Sequence, residues 1–192
     1  MSRKSTAVSY AILAGTAVYC LVQIKDKPLN TPHMAFAAVI VASATGVCKW
    51  GSENPCDGVV EVHKYASYFQ LMFAMPCITT AVWLANEYKK DVSWLWTVIS
   101  VFPFFYYFKE TDIDAAVAEF ITMIDLAALS VASFLGKNYY GIASALSYAL
   151  GYFSKRYGES LEIPPQVCYN CCLCCFALCA LKAIQGRVKQ AD

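Results

Sequence analysis

The sequence predicts an all-α, polytopic transmembrane helix bundle of about seven spans, with six to eight admissible, joined by short loops. Three observations carry the expectation. The chain is 58% hydrophobic and 15% charged, against roughly 25% charged residues in soluble domains. Its mean hydropathy is +0.45, so too few polar side chains remain to cover a soluble surface. Seven apolar stretches also approach the ~20 residues that a helical crossing needs, and short polar breaks separate them.

The first stretch, 7–24, follows Met1-Ser2-Arg3-Lys4. That opening suits a signal peptide, but the apolar run exceeds the usual ~7–15 residues and no small-x-small cleavage site follows. It is therefore read as an uncleaved span, ended by Lys25-Asp26-Lys27-Pro28. The second, 34–48, is short for a crossing, and a partly re-entrant segment is the alternative. Residues 49–64, with Gly51, Pro55 and Gly58, lead to the third, 65–86, which is uncharged. The fourth is 92–108 and the fifth 115–135. Gly136-Lys137 is a minimal turn, so the sixth, 138–154, should lie antiparallel to the fifth. The seventh, 166–181, follows Pro164-Pro165. Helices are expected because every backbone polar group must be paired within lipid, and the period-two alternation of a barrel is missing. Residues 1–192 form one membrane domain.

Net charge is +1 with no clustered basic face, which argues against nucleic-acid binding. The predicted partners are the lipid bilayer and other membrane proteins. Basic residues split 7 against 8 between the two sides, so the positive-inside rule gives no orientation and no membrane is identified.

Charges within a span cost about 2.5–3.5 kcal/mol on insertion scales and turn towards protein or water. Asp112, Asp114, Glu119 and Asp125 lie on or near the fifth span. The first two suit a solvated helix N-terminus. Glu119 and Asp125 are the intramembrane carboxylates, candidates for a proton or cation relay, with Tyr68 or Gln70 as candidate partners of Asp125. The many small residues of this span place it at the bundle centre. Gly141, Ala143, Ala145, Ser147 and Gly151 give the sixth span a helix-packing face.

Six of the ten cysteines fall between Cys168 and Cys179. One straight helix cannot supply four tetrahedral ligands, so packing is the main reading and no metal is assigned. Cys168, Cys171 and Cys172 are candidates for S-palmitoylation, and Cys48 and Cys56 for a disulfide. Glu61, His63 and Lys64 form a charged cluster at one mouth. His33 and His63 should sit a membrane thickness apart, which excludes a shared haem or zinc, and no cofactor is assigned.

No catalytic constellation emerges, and the reading leans away from an enzyme. The favoured function is a structural or accessory subunit packing against partner membrane proteins. The alternatives are a small proton- or cation-linked carrier or channel using Asp125 and Glu119, and an intramembrane lipid-modifying enzyme.

Overall fold

The computed structural model describes residues 3–26, 30–107, 115–157 and 163–186. These form seven α-helices: α1 Arg3–Val22, α2 Thr31–Gly51, α3 Asp57–Ala85, α4 Lys90–Tyr107, α5 Ala115–Leu135, α6 Tyr139–Tyr157 and α7 Pro165–Gln185. No strand occurs among the described residues. The chain is an all-α bundle in which α1, α2, α3 and α7 are long and apolar enough to cross a membrane.

The second helix is longer than its hydropathy suggests. Thr31 and Pro32 start it, and Asn30 and His33 close a reciprocal capping box, which satisfies amide groups that a helix start otherwise leaves unpaired. His33 Nε2 also donates to the carbonyl of Ile24 at 3.0 Å. At the other end Arg3 donates to the carbonyls of Lys49 and Glu53, at 3.2 and 3.0 Å. The helix therefore runs 21 residues, about 32 Å of rise. The α5–α6 turn is as tight as expected. Lys137 takes a positive φ of 52°, and Asn138 donates its backbone N–H to Ser133 at 2.8 Å.

Six helices close into a ring in the order α1, α2, α3, α5, α6, α7 and back to α1, while α4 packs on the outside of α3. The hub is α3 rather than α5. It packs against α2, α4 and α5, and also reaches α7, and every residue from Met72 to Val82 is buried. Small residues did not mark the centre, because α5 has an outer face as well: Phe134 is 73% exposed, and Phe120, Val131 and Leu135 join it. Its inner face is the stripe Ile121, Asp125, Ala128, Leu129 and Ala132, spaced as one helix side requires.

The α3–α5 contact is a ladder. Trp83 and Asn86 donate to the carbonyls of Ala128 and Ala132 at 3.1 and 2.9 Å, and Thr79 Oγ1, which donates to Met75 within its own helix, lies 3.4 Å from the carbonyl of Asp125. Both sets of numbers rise together, so these helices run parallel. Asn170 Nδ2 donates to Ser9 Oγ at 2.9 Å, and Cys20 Sγ meets the carbonyl of Ala177 at 3.6 Å, so α1 and α7 are also parallel. Sequential helices pair antiparallel: Thr80 meets Thr97 at 2.7 Å and Trp83 meets Trp96 between α3 and α4, and Asn138 meets the carbonyl of Ala183 at 2.9 Å while Ser144 meets that of Phe176 between α6 and α7.

Candidate functional site: a cationic cavity at one end of the ring

The antiparallel pairing brings the start of α1, the end of α2, the start of α3, the end of α6 and the start of α7 to one face. Between them lies a cavity of about 310 Å³, lined by residues from all five helices. Its cations are Lys49 from α2, Lys64 from α3 and Lys155 from α6. No Asp or Glu lines it among the described residues. Aromatic faces position two of these cations: Lys155 Nζ lies 4.8 Å from the Tyr169 ring centre and Lys49 Nζ 5.5 Å from that of Trp50, while Arg3 Cζ, outside the cavity lining, lies 5.9 Å from the same indole. Such contacts hold a cation without neutralising it, and contribute about 0.5–1 kcal/mol each where exposed.

His63 forms the inner wall, and its hydrogen bonds fix its tautomer. Thr45 Oγ1 has one proton and gives it to the carbonyls of Val41 or Ala42, at 3.1 and 3.0 Å. Towards His63 Nδ1, at 3.2 Å, Thr45 then serves as acceptor, an assignment that puts the ring proton on Nδ1. Nε2 then accepts from Tyr10 O–H at 3.3 Å and Ser67 O–H at 3.5 Å. The Tyr10 and His63 rings meet edge to face, 5.4 Å apart at 86°. In this assignment Tyr10 Oη donates to His63 and keeps its capacity to accept, and Tyr10 lines the cavity. Gly46 makes room for this pair: a Cβ there would lie 2.5 Å from Tyr10 Cδ1.

The charged cluster expected at 61–64 is divided by the helix. His63 is 5% exposed and turns inward, whereas Glu61 and Lys64 are exposed and only Lys64 reaches the cavity. His63 contacts Thr45, twelve residues along α2 from His33, a rise of about 18 Å, so the two histidines serve opposite ends. Sequence reasoning missed Tyr10, Thr45, Ser67, Lys49 and Lys155. A signal existed: His63, Ser67 and Gln70 repeat at helical spacing on an apolar helix.

The intramembrane carboxylates part company. Asp125 is 2% exposed and accepts from Ser100 Oγ of α4 at 3.0 Å, so its side-chain partner is Ser100 rather than Tyr68 or Gln70. Glu119 is half-buried. Asp112 and Asp114 lie outside the described residues. Asp125→Ala would leave Ser100 without its acceptor. It is expected to cost about 1–3 kcal/mol, and Asp125→Asn less, because an amide carbonyl can take the same bond; thermal unfolding in detergent measures both.

On α6 the buried stripe is Gly141, Ser144, Ala145, Tyr148 and Gly151, with Ala143 and Ser147 half-buried on its flank. Gly141 sits against Ser133 of α5, and Gly151 against Cys172 of α7. The α7 cysteines lie outside the core formed by Leu173, Phe176, Ala177 and Ala180. Cys171 and Cys175 are exposed, and Cys168, Cys172, Cys174 and Cys179 half-buried. Cys48 and Cys56 are exposed free thiols. Among the described residues no three His, Cys, Asp or Glu side chains are grouped to hold a metal ion.

No protein-family model, curated protein or solved structure matches the chain.

Proposed function

We propose that the chain crosses the membrane seven times and binds an anionic ligand in the cavity at the membrane face. The lengths of α4, α5 and α6 support the count: 18, 21 and 19 residues, about 27–32 Å of rise against a hydrocarbon core of ~30 Å. The convergence of Lys49, Lys64 and Lys155 on one cavity without a described carboxylate carries the binding reading. Like charges gathered at one cavity repel, and an anion is what relieves that repulsion.

This reading is preferred to an accessory subunit, because helix packing gives no reason for three lysines to converge. It is preferred to a carrier built on Asp125, because that carboxylate is enclosed and engaged by Ser100. The test is thermal unfolding of the detergent-purified protein with millimolar pyrophosphate, at an ionic strength matched with chloride. Ligand at 100 times its Kd stabilises by about 2.7 kcal/mol, so the wild-type midpoint should rise by several degrees. Lys64→Gln/Lys155→Gln should abolish the rise. An equal rise in both proteins would overturn the reading.

A further inference from the structure

We infer that the group this cavity takes is a terminal phosphate monoester, supplied by the headgroup of a membrane lipid. The inference rests on the anion-binding reading above and concerns the chemistry of the anion.

Charge is the first argument. Three lysines face the cavity, from three different helices. A carboxylate or a phosphodiester carries one negative charge and would leave most of that positive charge unmatched. A phosphate monoester carries about −1.5 to −2 near neutral pH and has three strong acceptor oxygens.

Geometry is the second. Lysine is a compact point charge with three rotatable donors, and it binds phosphate in that way. Lys49, Lys64 and Lys155 approach from α2, α3 and α6. Convergence from separate directions suits a tetrahedral group better than a flat one. Gln70 and Gln166 line the same space and offer neutral amide donors. The Tyr10 oxygen, free to accept once its proton is given to His63, can hold a lysine ammonium in place.

Position is the third. The mouth is built from helix ends, which in a chain crossing the bilayer as proposed above lie near the headgroup phosphates. Basic pockets between transmembrane helices are a recurrent way of holding phosphorylated headgroups. Beside the mouth, α3 exposes Val62 and Tyr65, an apolar outer surface along which lipid tails can lie. The cavity of about 310 Å³ lies at the small end of ligand pockets, which span roughly 300–1,000 Å³, and suits a compact headgroup.

The experiment titrates the purified full-length protein in detergent with four probes: dioctanoyl phosphatidic acid, dioctanoyl phosphatidylglycerol, glycerol 3-phosphate and pyrophosphate. The first two share tails and differ as monoester against diester. Phosphatidic acid is expected to bind at least ten-fold tighter than phosphatidylglycerol. Lys64→Gln/Lys155→Gln should remove that preference, and Lys155→Arg should retain binding. Lys182→Gln, on an exposed site at the other end of α7, should behave as wild type. Unfolding midpoints of the unliganded variants show whether each has folded; Lys64→Gln alone serves if the double variant has not.

Glycerol 3-phosphate binding as tightly as phosphatidic acid would support the monoester but overturn the lipid as its source. Equal binding of the two lipids, with pyrophosphate still bound, would overturn the monoester inference alone. Binding of none of the four would overturn the anion-binding reading with it.

Discussion

Gly46→Val is expected to destabilise the protein by about 1–3 kcal/mol and to abolish pyrophosphate binding in the same variant. Gly46 faces the ring of Tyr10, and a Cβ there would lie 2.5 to 2.7 Å from three of its carbons. A helix held on both sides cannot retreat freely, since Arg3 ties α1 to the end of α2 and Asn170 ties it to α7. The ring must therefore swing out, which breaks the Tyr10–His63 bond and moves a wall of the cavity. Gly15→Val supplies the control, because an added Cβ there meets nothing within 4 Å. It should change stability little and leave binding intact. Equilibrium unfolding and the pyrophosphate-induced shift, measured side by side, separate the two variants. Normal binding by Gly46→Val would mean that Tyr10 does not shape the site.

The second large effect is expected at the centre of the ring. Phe176 is 1% exposed and meets the Tyr148 ring edge to face at 5.1 Å. Phe→Ala changes in soluble cores cost about 3–5 kcal/mol, part transfer from water and part cavity. Between membrane helices the transfer part is small, because lipid tails are as apolar as the side chain, and packing dominates. Phe176→Ala is therefore expected to cost about 3 kcal/mol, the lower end of the soluble range. Phe176→Leu, which fills more of the space, should cost less. The folded fraction of Phe176→Ala should still bind pyrophosphate, because the anion cavity is lined by Tyr169 two turns away and not by Phe176. Denaturant titration in mixed micelles gives the stability difference.

Much of the fold is legible in the sequence. Composition fixes the class, and Gly136-Lys137 marks the α5–α6 turn to the residue, since few conformations join two antiparallel helices so closely. The start of α2 is less legible. Thr31-Pro32-His33 reads as polar on a hydropathy scale, although Pro at the first turn and a capping residue before it are helix-start signals. The hub is misread for a related reason. Small residues permit close approach but do not say from how many sides, and the buried stretch of the hub α3 sets Met72, Phe73, Met75 and Ile78 among its smaller residues.

The site is the least legible part, because its members lie far apart in the chain. Tyr10, Thr45, His63 and Lys155 belong to four helices, and only the order of the ring brings them together. Lys49 and Lys155 each read singly as a charge at the end of a span. Asp125 stands out in the sequence as a charge within an apolar stretch, but its partner Ser100 comes from α4, a helix outside the ring, and pairing across helices is not a periodic property.

The ring also has a temporal meaning. A ribosome delivers α3 before α5, so Trp83 and Asn86 enter the membrane before the carbonyls of Ala128 and Ala132 that receive their protons. Likewise Ser9 must wait for Asn170, the length of nearly the whole chain. The first of the seven helices meets one neighbour, α2, directly and the other, α7, only at the last. The cavity does not exist until α7, carrying Gln166 and Tyr169, has closed the circle, so the last of the seven helices completes the proposed site.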